Sequence, residues 1–362
     1  MTDRQLRILW IGKRPTNGEE GDEVFDRKTI AAWRRQGYVI DVFHPAPVSR
    51  AREIGNLLLG SPYQRARFTT GANIRSVRRL AGQYDVIICS WEPLDRLATD
   101  LESPVILIAH NISSNALLEL FPRNPLAALA SVRVRSWERH CYRPQNFAAV
   151  AGLSRKDHAY LQSIGAPKPL LLPPGMPPCL PLEPNAPVLS EIVISGTYDW
   201  SPKRRDLVLF AREYTGEHGR FPIRAHGLPD AAAHLLDPSE APSPEESRSA
   251  IRFGLITDRF EAGHKLKTMA YIANNQIVLS FADVNFDFAH ITDHDLFIRK
   301  VASTSDIAKH IKAVVDTPVS TIRKRFIRFQ QACARYFTWD AVATTLMEAA
   351  NTAVADRPFP RR

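Results

Sequence analysis

The stretch Glu191-Ile-Val-Ile-Ser-Gly-Thr-Tyr-Asp-Trp-Ser-Pro-Lys203 decides the fold. A short apolar strand runs into a turn at Gly196, and Ser201 then has the chemistry of a helix cap, with Pro202 suited to the first helical position. Strand, turn and helix in that order open a parallel α/β series. The same device stands at the other end of the chain. Leu6-Arg-Ile-Leu-Trp-Ile11 reads as a buried strand, followed by a loop with Gly18 and Gly21, a helical pattern from about 24 to 36 and a stop at Gly37. Further short strands are predicted at 39–43, 85–90, 105–109 and 147–152, then at 223–226, 253–257 and 277–281 after the restart. A helical pattern covers 124–143, and Ser154 caps another running to about 164. Between the two series stand Pro173, Pro174, Pro177, Pro178, Pro181, Pro184 and Pro187, too many for a helix or an inner strand. The expected organisation is therefore α/β, with two doubly wound, Rossmann-like domains at 1–172 and 191–335. A linker at 173–190 would join them, and a closing helix and tail at 336–362 would cross back to the first. Ligands of such sheets bind beyond the carboxyl ends of the strands, which places the expected site in a cleft between the two edges. Residues 230–250, rich in Ala, Pro, Ser and Glu, read as a mobile surface insert.

Composition narrows the class. The chain has 362 residues, 44% of them hydrophobic and 23% charged, which excludes a disordered chain, a collagen-like chain and a single small module. Lys and Arg number 47 against 38 Asp and Glu, a net charge of +9. The excess is uneven: residues 1–172 carry +8 and the remainder +1. Within the first half, Arg50, Arg52, Arg65, Arg67, Arg75, Arg78 and Arg79 face a single acid, Glu53. Such a segment suits anionic lipid headgroups or phosphates, or else forms a solvated face with local pairs. Four cysteines without CxxC or metal-ligand spacing indicate neither a disulfide framework nor a zinc site. The apolar run at 6–11 is too short for a signal sequence or a membrane span, so a cytoplasmic location is expected.

Two stretches carry the chemistry. In Asp258-Arg-Phe-Glu-Ala-Gly-His-Lys-Leu-Lys267, a glycine ahead of a helix start leaves backbone amides open to an anion, and Lys265 and Lys267 add full positive charge. A diphosphate needs that combination; a basic helix start on a solvated surface is the plainer alternative. In the opening stretch, Gly196 sits where phosphates approach a doubly wound sheet, with Lys203 in reach, although the same residues also make an ordinary capped strand-to-helix loop. His110 and Asn111 follow a strand at its carboxyl edge, a place where a histidine is either structural or functional. The other histidines show no HExxH motif, so no metal and no cofactor are expected. Asp283, Asp287, Asp293 and Asp295 read as an acidic loop, and Glu138 with Arg139 as a solvated or packing pair on a helix.

These residues carry a resemblance. Gly196-Thr-Tyr-Asp-Trp-Ser-Pro-Lys203 resembles the Gly-x-Met-Asp-Trp-x-Pro-Asn pattern of bacterial sugar transferases of the glycosyltransferase family four group, which serve exopolysaccharide and cell-surface polysaccharide assembly. His110-Asn111, Glu138, Leu153-Ser154-x-x-Asp157, Leu172-Pro-Pro-Gly175, the glycines at 18 and 21 and Phe337-Thr-Trp339 follow in the same order. The resemblance spans about residues 8–350. It implies the two-domain GT-B architecture facing a central cleft, and a hexosyltransferase, retaining like that group and independent of metal. The donor, a nucleotide diphosphate sugar, would lie near Gly18, Gly21, Gly196, Lys203, Gly263, Lys265 and Lys267. His110 would sit under the donor sugar, with Asn111 on the acceptor side. The family places two glutamates eight positions apart in this region, and here those positions hold Ala262 and Ala270; Glu261, one residue before the first, is expected to be displaced into the site as a catalytic residue with His110, unless the donor is held differently or activity is lost.

The implied function is transfer of a sugar to a saccharide or lipid-linked acceptor in cell-surface polysaccharide synthesis, with an anionic membrane as a further partner of the arginine segment. The alternative is a catalytically impaired, nucleotide-sugar-binding subunit of a polysaccharide assembly complex, suggested by Ala270. A nucleic-acid partner is not expected, because no helix-turn-helix, RNP or zinc-finger pattern accompanies the charge.

Overall fold

The computed structural model describes residues 6–15, 21–49, 51, 53, 63–121, 124–216, 221–236 and 238–356. The chain divides into two compact units: Met1–Pro174 with Ala262–His264 and Trp339–Arg362, and Gly175–Glu261 with Lys265–Thr338.

In the first unit, strands β1 (Ile8–Ile11), β2 (Ile40–Phe43), β3 (Val86–Ser90), β4 (Val105–Ala109), β5 (Ala149–Gly152) and β6 (Pro169–Leu171) form one sheet in the order β2-β1-β3-β4-β5-β6. Every pairing is parallel. Strands β1, β3, β4 and β5 are buried along their whole length, as in a sheet covered on both faces. Alternation along β1 divides the core: Ile8 and Trp10 pack with Phe25, Trp33, Val342 and Leu346, while Leu9 and Ile11 pack with Val77, Leu94 and Tyr142. Helix Gly21–Arg35 lies against helix Trp339–Ala355, and the Trp33 indole donates to the Ala343 carbonyl at 2.7 Å. The helical pattern at 124–143 is the helix Pro125–Cys141, capped by Asn124 through the amides of Leu126 and Ala127. Of the solvated or packing pair read from sequence, Arg139 is exposed while Glu138 is fully buried. Its carboxylate accepts from the Ser114 amide (3.0 Å), the Ser114 hydroxyl (2.6 Å) and the Tyr160 hydroxyl (2.8 Å), satisfying the start of the helix Ser113–Leu120.

The second unit holds β7 (Val188–Ile194), β8 (Ile223–Ala225), β9 (Ile251–Ile256), β10 (Gln276–Ser280) and β11 (Ile298–Lys300), parallel and ordered β11-β10-β9-β7-β8. Gly254 in β9 admits the helix Leu266–Ala273, since a Cβ there would lie 2.6 Å from Cδ2 of Tyr271. The proline-rich stretch lies along this unit, bonded by Met176 N to Phe337 O (3.0 Å), Leu180 N to Ala273 O (2.9 Å) and Glu183 N to Arg248 O (2.9 Å). Residues 230–250, expected as a mobile surface insert, carry regular structure. They form the helices Asp230–Ala233 and Pro244–Ser249, the latter with a capping box between Ser243 and Glu246.

In each sheet the first strand is flanked by strands reached in opposite directions, β1 by β2 and β3, β7 by β8 and β9. Winding reverses beside that strand, and the crevice beyond its carboxyl end is the expected ligand position. Among the described residues no helix is long and apolar enough to cross a membrane.

Candidate functional site

The carboxyl end of β7 leads into Ser195 and Gly196. Gly196 has φ +137°, a conformation that favours glycine, and a Cβ there would fall 2.5 Å from the Lys267 Nζ. The lysine side chain thus occupies the space that the missing Cβ leaves. Gly227, at φ +69°, lies so close that a Cβ on it would approach Gly196 O at 2.6 Å. The turn is held from below by Tyr271, whose hydroxyl accepts from Ser195 N at 3.0 Å and donates to Leu255 O at 3.1 Å.

Lys267 Nζ is buried with no hydrogen-bond partner among the described residues, and lies 4.5 Å from the centroid of the Tyr198 ring. Burial pulls its pKa down to about 8, with Asp258 opposing and Lys203 adding to the fall. Lys203 stands half-buried on the helix Ser201–Gly216. Lys265 has a different environment: its Nζ lies 3.7 Å from the buried Asp258 carboxylate and 3.6 Å from the Phe260 ring centroid. Glu261 turns to Lys300, whose Nζ donates to it at 3.1 Å, and accepts from Asp283 N at 3.4 Å. Asp293, from the acidic loop, pairs with Arg325. Gly196, Lys203 and Lys267 therefore converge at the switch point of the second sheet, while Lys265 and Glu261 are engaged by acidic and basic neighbours.

The first sheet presents a second cluster at the matching place. His110 follows β4, Ser90 ends β3, and Asp26 reaches them from the helix Gly21–Arg35. The Ser90 hydroxyl donates to Asp26 Oδ1 at 2.5 Å and stands 2.9 Å from His110 Nε2. A Cβ on Gly12 would lie 2.6 Å from Asp26 Oδ2, so the carboxylate fits because β1 continues into a glycine. The Phe25 ring meets the imidazole edge-on at 5.3 Å. Glu92 accepts the His110 amide at 3.1 Å and contacts the Ser113 hydroxyl. Burial raises Asp26 to about 7 and Glu92 to about 8, and lowers His110 to about 4. Asn111 is half-buried beside His110. Gly263, at φ +70°, groups with this unit, where a Cβ would strike the Asn111 side chain.

Gly18 lies outside the described residues; Gly21 is the exposed first residue of its helix. Of the arginine segment, Arg50 and Arg52 also lie outside. Arg65 is turned inward, 3.1 Å from the buried Asp95 and over the Trp137 ring at 5.3 Å. Arg78 stands 3.8 Å from Asp100. Sequence reading missed Asp26, Ser90 and Glu92. Ser90 was visible as a polar end to an apolar strand, but nothing local connects Asp26 with a histidine 84 positions on. Among the described residues no group of three or more His, Cys, Asp or Glu is placed to hold a metal ion.

No protein-family model matches the chain. A curated protein of Oryza sativa subsp. japonica, lysine-specific histone demethylase 1 homolog 1, is 30% identical over 138 residues. That match covers 34% of this chain and spans only 15% of the relative's length, and it assigns no activity. Solved structures are similar over nearly the whole chain. An α,α-trehalose-phosphate synthase (UDP-forming) from Burkholderia vietnamiensis matches with TM-score 0.63 and 12% identity, covering 97% of this chain and 99% of that one. Sucrose-phosphate synthase from Thermosynechococcus elongatus gives 0.59 and 12%, covering 97% and 100%. The pneumococcal O-GlcNAc transferase GtfA, solved with UDP and GlcNAc, gives 0.58 and 9%, covering 97% and 100%. With two parallel-sheet α/β units and these neighbours, the chain has the GT-B glycosyltransferase fold.

Proposed function

We propose that this protein is a glycosyltransferase whose second unit binds a nucleotide diphosphate sugar. The observation that carries the reading is the buried Lys267 ammonium, unpartnered among the described residues, beside Gly196 at the switch point of a doubly wound sheet. A desolvated cation with no counter-ion in bonding reach is destabilised, and a diphosphate bridging it with Lys203 relieves that cost. A leaving nucleoside diphosphate gains negative charge in the transition state, so the same cations act on the barrier. A neighbour named as UDP-forming and one solved with UDP support this donor class. The finer reading is a retaining hexosyl transfer without metal, to a saccharide or lipid-linked acceptor in cell-surface polysaccharide synthesis, with His110 under the donor sugar and Asn111 on the acceptor side. The protein would work in the cytoplasm, on the inner face of the plasma membrane. A second reading, a donor-binding subunit without transferase activity, is favoured by the engagement of Glu261 with Lys300 and by Ala270.

The test is thermal unfolding with UDP, ADP and GDP and their glucose conjugates. At a ligand concentration 100 times Kd, about 2.7 kcal/mol of stabilisation is expected. Lys267→Ala should abolish it. If no nucleotide raises Tm, or the variant retains the shift, the donor assignment is wrong. Sugar transfer to an added acceptor separates the enzyme from the binding subunit.

A further inference from the structure

We propose that Ser90 and Asp26 are positioning residues that decide which ring nitrogen of His110 carries its proton. They thereby decide whether Nδ1 accepts or donates a hydrogen bond. The Ser90 hydroxyl has one proton and two neighbours, Asp26 Oδ1 at 2.5 Å and His110 Nε2 at 2.9 Å. A carboxylate can only accept, so with Asp26 ionised the Ser90 proton goes to Oδ1 and the Ser90 oxygen accepts from Nε2–H. Nδ1 is then a bare lone pair. With Asp26 protonated the chain reverses: the acid donates to Ser90, Ser90 donates to Nε2, and the ring proton sits on Nδ1. The two states differ by one proton. Taken up at Nδ1, it is balanced by transfer of the Nε2 proton to Ser90 and of the Ser90 proton to Asp26, and the cluster goes from one negative charge to none.

The surroundings support the relay. Burial brings Asp26 to about 7 while holding the imidazole near 4, so a proton added between those values resides on Asp26 and the ring stays neutral. Asp22 and Glu23 on the same helix raise Asp26 further. Lys13, 3.5 Å from Asp22, lowers His110, and Glu92 holds the His110 main chain. A role in transfer rests on the proposed function, with Nδ1 as the atom offered to a substrate hydroxyl; the tautomer itself does not.

The experiment is long-range proton–nitrogen NMR on the full chain labelled with 15N-histidine, with the His110 signals assigned by their loss in His110→Gln. The expected result is Nε2–H at pH 8.5 and Nδ1–H at pH 5.5, neutral at both. Asp26→Leu, which removes the acceptor, should show Nδ1–H at both values. An imidazolium at pH 5.5, or one tautomer throughout in the wild type, overturns the proposal; should Asp26→Leu fail to fold, the wild-type comparison decides alone. The effect of UDP on Tm is scored separately, so the donor reading and the relay can fail independently.

Discussion

Lys265 and Lys267 stand two positions apart in one sequence motif, yet only their neighbours distinguish them. Asp258 and the Phe260 face neutralise the first, whereas the second is buried over Tyr198 with its ammonium unpartnered among the described residues. This difference has a pH signature. The free Lys267 titrates near 8, and a bound diphosphate raises its pKa. Binding above pH 8 therefore takes up a proton and below pH 8 does not, so affinity is flat from pH 7 to 8 and weakens above it by up to about tenfold per pH unit. Calorimetry of UDP binding from pH 7 to 9.5, in buffers of different ionisation enthalpy, checks both the slope and the proton uptake. A flat profile would remove Lys267 from the phosphate site. The carboxylates offer a parallel lesson: Glu261, which sequence placed in the site, is occupied by Lys300, while the unpredicted Asp26 lies against the histidine.

At the scale of elements, the helix Pro125–Cys141 buries Ala127, Ser131, Glu138 and Cys141 and turns the opposite stripe outward. Leu126, Leu129 and Val132 are 73%, 62% and 66% exposed, with Phe121 and Leu118 nearby at 45% and 37%. Arg133 and Arg139 on the same helix are also exposed. An apolar stripe flanked by cations suits a helix lying in the headgroup region of an anionic membrane. This surface now supports the proposed membrane contact better than the arginine segment, whose Arg65 is spent on an internal ion pair. Flotation with phosphatidylglycerol-containing vesicles should recover the wild type, and Leu126→Glu with Leu129→Glu should reduce recovery at least several-fold without lowering Tm. Equal recovery of both proteins would leave the stripe unexplained by lipid. Strands rich in Ile and Val were legible to within a residue or two, except β7, which begins at Val188, three residues before the expected Glu191. The short edge strands β6 and β11 were not, because three residues carry too little periodic signal and β6 begins on a proline.

At the scale of the whole molecule, the chain leaves the first unit at Pro174 and, apart from Ala262–His264, returns to it at Trp339. The final helix completes the first core through Val342, Ala343, Leu346, Met347 and Ala350, and Trp339 meets Phe25 at 5.9 Å. A chain ending at Thr338 should therefore lose stability in the first unit rather than the second. Burial of a large apolar side chain is worth about 1.5–3 kcal/mol, so removing this helix strips several such contributions and should lower the first unfolding transition by more than about 10 °C. Calorimetry on the two chains checks this; an unchanged first transition would show the helix to be dispensable.

Sequence by itself determined the two parallel α/β series and the strand, glycine turn and helix that open the second of them, although that strand begins at Val188 rather than Glu191. These are local: an apolar run, a turn residue and a cap act over a few positions. Tertiary structure alone decided which charges are neutralised and which are not. Asp258 against Lys265, Lys300 against Glu261 and Asp26 with Ser90 against His110 are contacts between elements distant in sequence, except for the first. In every case the energy depends on burial and on distances of a few ångströms, which residue order does not encode.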